Sequence, residues 1–325
     1  MLTLTVLACT PDPEGPKPPG PTAVDEYPLD DELTFADLQA LGTHNSYHLQ
    51  TNDLPALAYE HEPLDVQLGE QGVRQFELDV AWGISQGEHL VYHLPLIDQG
   101  TTCETFADCA EVLFDWSSAH PTHHPLFVLV ETKDAWDDGD GPAHVDALED
   151  ELRSVWPDER LIRPADVLRE HADLASALAA EGWPTLRELR GRALFVLHDG
   201  GERRDWFVAQ DLGERALFPD AQGNVDVPWA AVHTMNDPTD PHIPDVVGLH
   251  HLVRTRADGD MVEVFANDPA HRDAALASGA HFVSTDAPAP IEGLEYVVTI
   301  PGGTPSRCNP VHAPADCASE DIEHP

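Results

Sequence analysis

Leu38-Gln39-Ala40-Leu41-Gly42-Thr43-His44-Asn45-Ser46 opens the regular part of the chain and decides between two architectures. The run 38–43 is short and apolar, as a buried strand is. An open doubly wound sheet would follow its first strand with a glycine-rich phosphate loop. Here the strand runs into a histidine, an asparagine and a serine, so a barrel is expected instead. Working outward, further runs rich in Val, Leu and Phe recur at 73–80, 89–93, 126–131, 193–198, 230–235, 252–256 and 281–285. Segments of helical period separate them. Val145, Leu148, Leu152 and Val155 share one helical face, and Asn267-Asp268-Pro269 followed by Ala-rich sequence and Gly279 predicts a capped helix entering the last strand. Eight βα repeats over about 250 residues are the count and length of a (β/α)8 TIM-like barrel of the α/β class. Residues 31–325 are expected to form it as one domain.

In such a barrel the functional groups come from the C-terminal ends of the strands. Those ends carry His44 and Asn45, Glu77 and Asp79, His93, Glu131 with Lys133, His198-Asp199, Asn236-Asp237, Arg254 and Arg256, and Asp286. In Val73-Arg74-Gln75-Phe76-Glu77-Leu78-Asp79-Val80, alternation puts Val73, Gln75, Glu77 and Asp79 on one face and Phe76, Leu78 and Val80 on the other. Two carboxylates then share the barrel mouth, where repulsion raises one pKa unless a cation lies between them. With Glu131 and the Asn45 carbonyl the set is all oxygen, which suits calcium or magnesium and not zinc. His44 and His93 beside a divalent cation suit phosphoryl transfer, one steadying charge on phosphorus oxygens and the other protonating a leaving oxygen. Glu77 is also a candidate base. The only lysine beyond the N-terminal stretch is Lys133. It either holds a substrate phosphate or forms a structural ion pair. Arg254 and Arg256 share a face and carry the same two readings.

The formal net charge of -42 argues against a nucleic-acid partner, because phosphate binding needs clustered Lys and Arg. It fits a protein that takes up divalent cations, carried on a largely solvated acidic surface. Nothing asks for a protein partner, and a monomer is expected. No run of about 18 apolar residues occurs that would span a bilayer. Cys103 with Cys109, and Cys308 with Cys317, form close pairs that read as small disulfide loops of an exported protein. Neither pair has the second Cys/His pair that a zinc finger needs. Cys9 follows Thr3-Leu4-Thr5-Val6-Leu7-Ala8, which resembles the end of a bacterial lipoprotein signal whose start lies upstream. The Pro-rich residues up to about 30 read as a tether. The protein is therefore expected in the cell envelope, anchored at Cys9, or secreted.

Several stretches resemble one family. They are Leu41-Gly42-Thr43-His44-Asn45-Ser46-Tyr47-His48, Leu64-Asp65-Val66-Gln67-Leu68 and the strand from Gly72 to Val80. Phe127-Val128-Leu129-Val130-Glu131-Thr132-Lys133, Gly182-Trp183-Pro184-Thr185-Leu186 and Leu252-Val253-Arg254-Thr255-Arg256-Ala257-Asp258 continue the series. Phe282-Val283-Ser284-Thr285-Asp286, Pro301-Gly302-Gly303 and Arg307-Cys308-Asn309-Pro310 complete it. Together they resemble the bacterial calcium-dependent phosphatidylinositol-specific phospholipase C family over residues 35 to 318. Phe76 and Thr132 depart from its pattern, where Leu and Ala are commoner, without touching the chemistry.

The resemblance implies a phosphodiesterase barrel acting on a membrane phospholipid, phosphatidylinositol, with Ca2+ as cofactor. Matched residue by residue, His44 and His93 become the catalytic histidines, and Asn45, Glu77, Asp79 and Glu131 the calcium ligands. Diacylglycerol and an inositol phosphate, initially cyclic, would be the products. Two alternatives stay open at this point. One is a glycerophosphodiesterase or sphingomyelinase-D-like enzyme; the other is a non-catalytic calcium- or lipid-binding lipoprotein.

Overall fold

Side-chain alternation along eight short strands builds the molecule. The computed structural model describes residues 26–324 apart from 138, 303 and 304, so Cys9 and most of the Pro-rich stretch lie outside the described residues. The strands, in chain order, are β1 (Leu38–Thr43), β2 (Val73–Gly83), β3 (Glu88–Val91), β4 (Leu126–Thr132), β5 (Leu161–Ile162) and β6 (Ala193–Leu197). They continue as β7 (Leu217–Pro219), β8 (Val232–Thr234), β9 (Leu252–Arg256), β10 (Phe282–Thr285) and β11 (Ser306–Cys308).

Parallel pairing runs β7-β6-β4-β2-β1-β10-β9-β8. A parallel bridge between Asp220 and Val232 links the end of β7 to β8 and closes the ring. The barrel expected from the sequence is the fold, with helices such as Phe106–Ala119, Gly141–Val155 and Ala270–Ala277 packed outside.

One of the eight expected strands is corrected, and one barrel strand was not expected. The run 89–93 is not a barrel strand. β3 pairs antiparallel with β2 as the second arm of a hairpin. A parallel crossover needs a dozen or more residues, and far fewer separate the two arms. The missing barrel strand is β7, whose Leu-Phe-Pro is too short to stand out and ends in a residue that reads as a breaker. A third difference is local. The β1–β2 register shifts at Leu41/Gly42, and this turns Val73 outward into the helix layer instead of inward with Gln75.

Inside the ring, Leu38, Phe127, Leu129, Leu194, Val196, Phe218, Val232, Leu252 and Phe282 form the lower layers. Phe35 and Trp183 plug the N-terminal end, 5.8 Å apart edge-to-face. Outside, Phe76, Leu78, Val80, Val128, Val130, Phe195 and Leu197 pack on Phe106, Leu113, Leu148, Leu152 and Trp156. Each fully buried Leu or Phe contributes on the order of 2 kcal/mol. Exposed ion pairs give about 0–1 kcal/mol each, so these layers hold the ring. Continuing each inward row by two residues reaches the site: Leu129 leads to Glu131, Val196 to His198, Leu252 to Arg254 and Ser284 to Asp286. Gly42 sits at the floor of that site. A Cβ there would come 2.0 Å from Gln75 Oε1, and Gln75 Nε2 donates to the Thr43 carbonyl at 3.2 Å.

The two cysteine pairs are disulfides, with Cα–Cα distances of 5.3 Å for Cys103–Cys109 and 6.1 Å for Cys308–Cys317. They fit an exported protein. No helix among the described residues is long and apolar enough to cross a membrane.

The core also contains neutral histidines, and this predicts acid lability. His281 is buried; its Nε2 donates to the Ala36 carbonyl (3.0 Å) and its Nδ1 accepts the Val253 N–H (3.0 Å), so protonation would break the second bond. Burial holds His281, His123 and His233 down to about 3, and His124 and His251 to about 4, against 6.5 unperturbed. Unfolding lets each take up a proton, so stability is full above 6.5 and falls as pH drops below it. The loss approaches about 1.4 kcal/mol per pH unit for each group. The urea midpoint should fall steeply from pH 6.5 to 4, and His281→Gln should flatten that slope by about one proton. A pH-independent midpoint over that window would contradict this.

Candidate active site

The C-terminal ends of the strands bring together most of the residues singled out in the sequence. His44 follows β1, and its Nδ1 lies 2.8 Å from Asp286 Oδ1, just beyond β10 on the neighbouring strand. Asp286 also receives Arg256 Nη2 at 3.1 Å, and its backbone N–H donates to Asp258 Oδ1 at 2.8 Å. Burial would raise the Asp286 pKa, but His44 and Arg256 outweigh it and hold the carboxylate low. Asn45 takes a left-handed backbone (φ 44°), which asparagine tolerates better than most residues. That turn is stitched to β2: Ser46 N–H donates to the Glu77 carbonyl at 2.9 Å, and Ser46 Oγ accepts the Glu77 N–H at 2.8 Å. Asn45 Nδ2 donates to Tyr59 Oη at 3.0 Å.

On β2, Glu77 and Asp79 both point inward and are buried. Glu77 is paired with Arg254, which also donates to Asn236 Oδ1 (2.5 Å) and Ser284 Oγ (3.2 Å). Desolvation opposes ionisation of Glu77, but Arg254 overrides it and keeps the pKa below the usual range. Asp79 has the opposite balance. Burial raises its pKa far above the carboxylate range; Lys133 works against this, and Glu131 and Glu77 add to it. Lys133 Nζ bridges Asp79 Oδ2 at 2.9 Å and Glu131 Oε1 at 2.7 Å, while Asp79 Oδ1 has no well-formed hydrogen bond among the described residues, the buried Tyr47 hydroxyl being the polar group beside this carboxylate.

His198 follows β6. Its Nδ1 is 2.7 Å from Asp220 Oδ2 and its Nε2 is 3.9 Å from Glu131 Oε2. Glu77, Glu131 and His198 each offer a ligand atom within 4.8 Å of the others. His93 arrives by a different route, just beyond the antiparallel arm β3, with Nδ1 3.1 Å from Asp98 Oδ2. Asp98 is buried and also accepts from His48 Nε2 at 2.9 Å. His44 and His93 line one cleft of about 440 Å³, with Tyr59 and Arg256. A larger cavity of about 680 Å³ meets this network through Asp286 and Tyr59; both histidines lie in the smaller one.

The family profile described as phosphoinositide phospholipase C, Ca2+-dependent, matches residues 84–310, more than half of the chain. The chain belongs to this family. As a phospholipase C it is a phosphodiesterase whose cofactor is calcium. The profile match begins after Glu77 and Asp79, so His44, Asn45 and both carboxylates of β2 stand outside it.

Solved structures agree on the fold. A calcium-dependent phosphoinositol-specific phospholipase C from Pseudomonas sp. superposes with a TM-score of 0.62 at 19% identity, over 86% of this chain and 97% of that one. The Ca2+-dependent phosphatidylinositol-specific phospholipase C of Streptomyces antibioticus gives 0.57 at 20% identity, over 78% and 95%. No functionally curated protein matches the chain in sequence.

The residues of this phospholipase C fit a hard cation. Three carboxylates converge from β2 and β4, and the buried Asp79 Oδ1, which has no well-formed hydrogen bond, is an oxygen that a cation would satisfy. His198 and Asp286 stood out in the sequence only as strand-end residues; the structure gives each a carboxylate or histidine partner. Asp98, Asp220 and Tyr59 carried no such signal, because their roles depend on contacts across the mouth.

Proposed function

We propose that this phospholipase C cleaves phosphatidylinositol to diacylglycerol and an inositol phosphate, first released in the cyclic form. The observation that carries the reading is the pair His44 and His93 lining one cleft beside Glu77, Asp79 and Glu131. One of the Pseudomonas structures is a myo-inositol complex, which supports an inositol head group. Glu77, Asp79, Glu131 and the Asn45 carbonyl would hold calcium. When bound, it supplies positive charge for the phosphoryl oxygens and acidifies a nearby hydroxyl.

The inositol 2-hydroxyl attacks the adjacent phosphorus and passes its proton to Glu77 or Asp79. His44, steadied by Asp286, donates a hydrogen bond to the developing oxyanion. His93, oriented by Asp98, protonates the departing diacylglycerol oxygen. Lys133, Arg254 and Arg256 contribute positive charge around the head group, Arg254 through Glu77. Residues 31–325 act as a single, monomeric catalytic domain, exported and either tethered through Cys9 or released.

The deciding assay is hydrolysis of phosphatidylinositol with and without a chelator. Activity should vanish with the chelator and return with calcium but not with magnesium. Phosphorus NMR should show a cyclic inositol phosphate before the acyclic one. Full activity in the chelator, or an acyclic product from the outset, would refute the reading.

A further inference from the structure

His93 reaches the mouth on a loop beyond β3, not at the end of a barrel strand, so its aim depends on what holds residues 94–102. That loop is fastened to the turn that follows His44. Leu49 N–H donates to the Gly100 carbonyl at 3.2 Å and Thr102 N–H to the Tyr47 carbonyl at 2.8 Å, on either side of an antiparallel bridge between His48 and Thr101. The approach is so close that a Cβ on Gly100 would lie 2.0 Å from the Leu49 carbonyl oxygen.

At the centre of this seam is a side chain that the mechanism above leaves unused. His48 is fully buried, and its Nε2 lies 2.9 Å from Asp98 Oδ2 and 3.0 Å from Oδ1. Asp98 is buried as well. Its Oδ1 also accepts from Thr51 Oγ1 at 3.2 Å, and its Oδ2 from His93 Nδ1 at 3.1 Å. One carboxylate thus stands between two imidazoles. The Tyr59 ring covers His48 with centroids 4.4 Å apart. His48 Nδ1 has no hydrogen-bond partner among the described residues. Burying an unpaired ring nitrogen costs stability, and an apolar side chain would fill the space without that cost. Packing alone does not account for a histidine here; the bond to Asp98 does.

We infer that His48 is a positioning residue for departure of the leaving group: through Asp98 it holds the His93 ring with Nδ1 on the carboxylate and Nε2 facing the scissile bond. The inference rests on the reading of His93 as the acid. In that step the inositol 2-hydroxyl oxygen bonds to phosphorus and the bond from phosphorus to the diacylglycerol oxygen breaks. The Nε2 proton of His93 passes to that oxygen, since Asp98 occupies the other ring nitrogen. Burial first, then Lys133 and His44, press His93 towards its uncharged form, and Asp98 works against them. Held only by Thr51 and His93, the carboxylate would be free to swing, and a misplacement of about 1 Å costs about 100-fold in rate.

Two variants of equal length test the role. His48→Met fills the site and donates nothing, whereas His48→Gln places an amide N–H near the position of Nε2. The substrates are two water-soluble inositol phosphodiesters. One is an alkyl diester, whose leaving oxygen needs a proton; the other is a para-nitrophenyl diester, whose leaving phenolate does not. His48→Met should cleave the alkyl diester about 10- to 100-fold more slowly, in kcat with KM held. It should cleave the para-nitrophenyl diester within about threefold of the parent. His48→Gln should recover most of the lost alkyl rate. His93→Ala sets the scale and should show the same selectivity more strongly.

Equal losses on both diesters would make His48 a structural residue only. Undiminished alkyl cleavage by His48→Met, or His48→Gln as slow as His48→Met, would equally overturn the positioning role. Failure of the underlying reading shows elsewhere: His93→Ala itself would then lose no more on the alkyl diester than on the para-nitrophenyl one.

Discussion

A His44→Ala variant is expected to cleave phosphatidylinositol up to about a thousandfold more slowly than the parent, within the range for losing a donor to a developing oxyanion. Its fold should survive. His44 is partly exposed, and the carboxylate it leaves behind, Asp286, keeps Arg256 at 3.1 Å. No buried charge is orphaned, so the melting temperature should move by no more than about 5 °C. Added imidazole should restore part of the rate, because the hole beside Asp286 is lined by the acceptor that oriented the lost ring. Asp286→Asn should cost less in rate and should shift the pH profile, since Asp286 acts only through His44. The decisive measurement is kcat on detergent-dispersed lipid, with a melt on the same sample. Wild-type turnover by His44→Ala would remove this residue from the chemistry.

Residues whose placement follows from strand period were legible in the sequence. Glu77 and Asp79 alternate with Phe76, Leu78 and Val80, and a period of two leaves no choice of face once one side packs on helices. The same holds for Glu131 on β4 and Arg254 and Arg256 on β9. What was not legible depends on register and on distant contacts. Val73 lies two residues before Gln75, but the register shift beside Gly42 moves it to the other face. His93 was placed at the mouth for the wrong reason: a parallel strand was expected, and an antiparallel hairpin delivers it. The length between 80 and 89 already excluded a crossover. β7 was hidden because three residues ending in proline carry no pattern. Asp98 reaches His93 and His48 from a loop, and Asp220 reaches His198 across 22 residues. No local sequence signal distinguishes those aspartates from the many others in so acidic a chain.

Lys133→Met is expected to make the stability of the protein depend on calcium far more strongly than the parent's does. Lys133 Nζ sits between Asp79 and Glu131, at 2.9 and 2.7 Å. It is the cation that partners Asp79, because Arg254 is already committed to Glu77. Methionine keeps the stem packed and removes only the charge. Asp79, buried and with Oδ1 already lacking a well-formed hydrogen bond, then faces Glu131 and Glu77 uncompensated. Removing one partner of a buried ion pair costs about 3 kcal/mol when the other stays charged. Burial already raises the Asp79 pKa and loss of Lys133 raises it further. In a chelator the variant should therefore melt well below the parent at alkaline pH, where Asp79 must ionise, and nearer to it at lower pH, where Asp79 takes up a proton. Calcium added to the variant should recover most of this, since a ligand at about 100 times its Kd contributes about 2.7 kcal/mol. The parent should gain less, because there the ammonium and the ion compete for the same carboxylates. Calorimetric titration should accordingly show tighter calcium binding by Lys133→Met, whatever happens to turnover. If the variant melts like the parent in chelator at alkaline pH, and calcium shifts both equally, Lys133 does not neutralise this site, and the ion pairs drawn here are not what holds Asp79 in place.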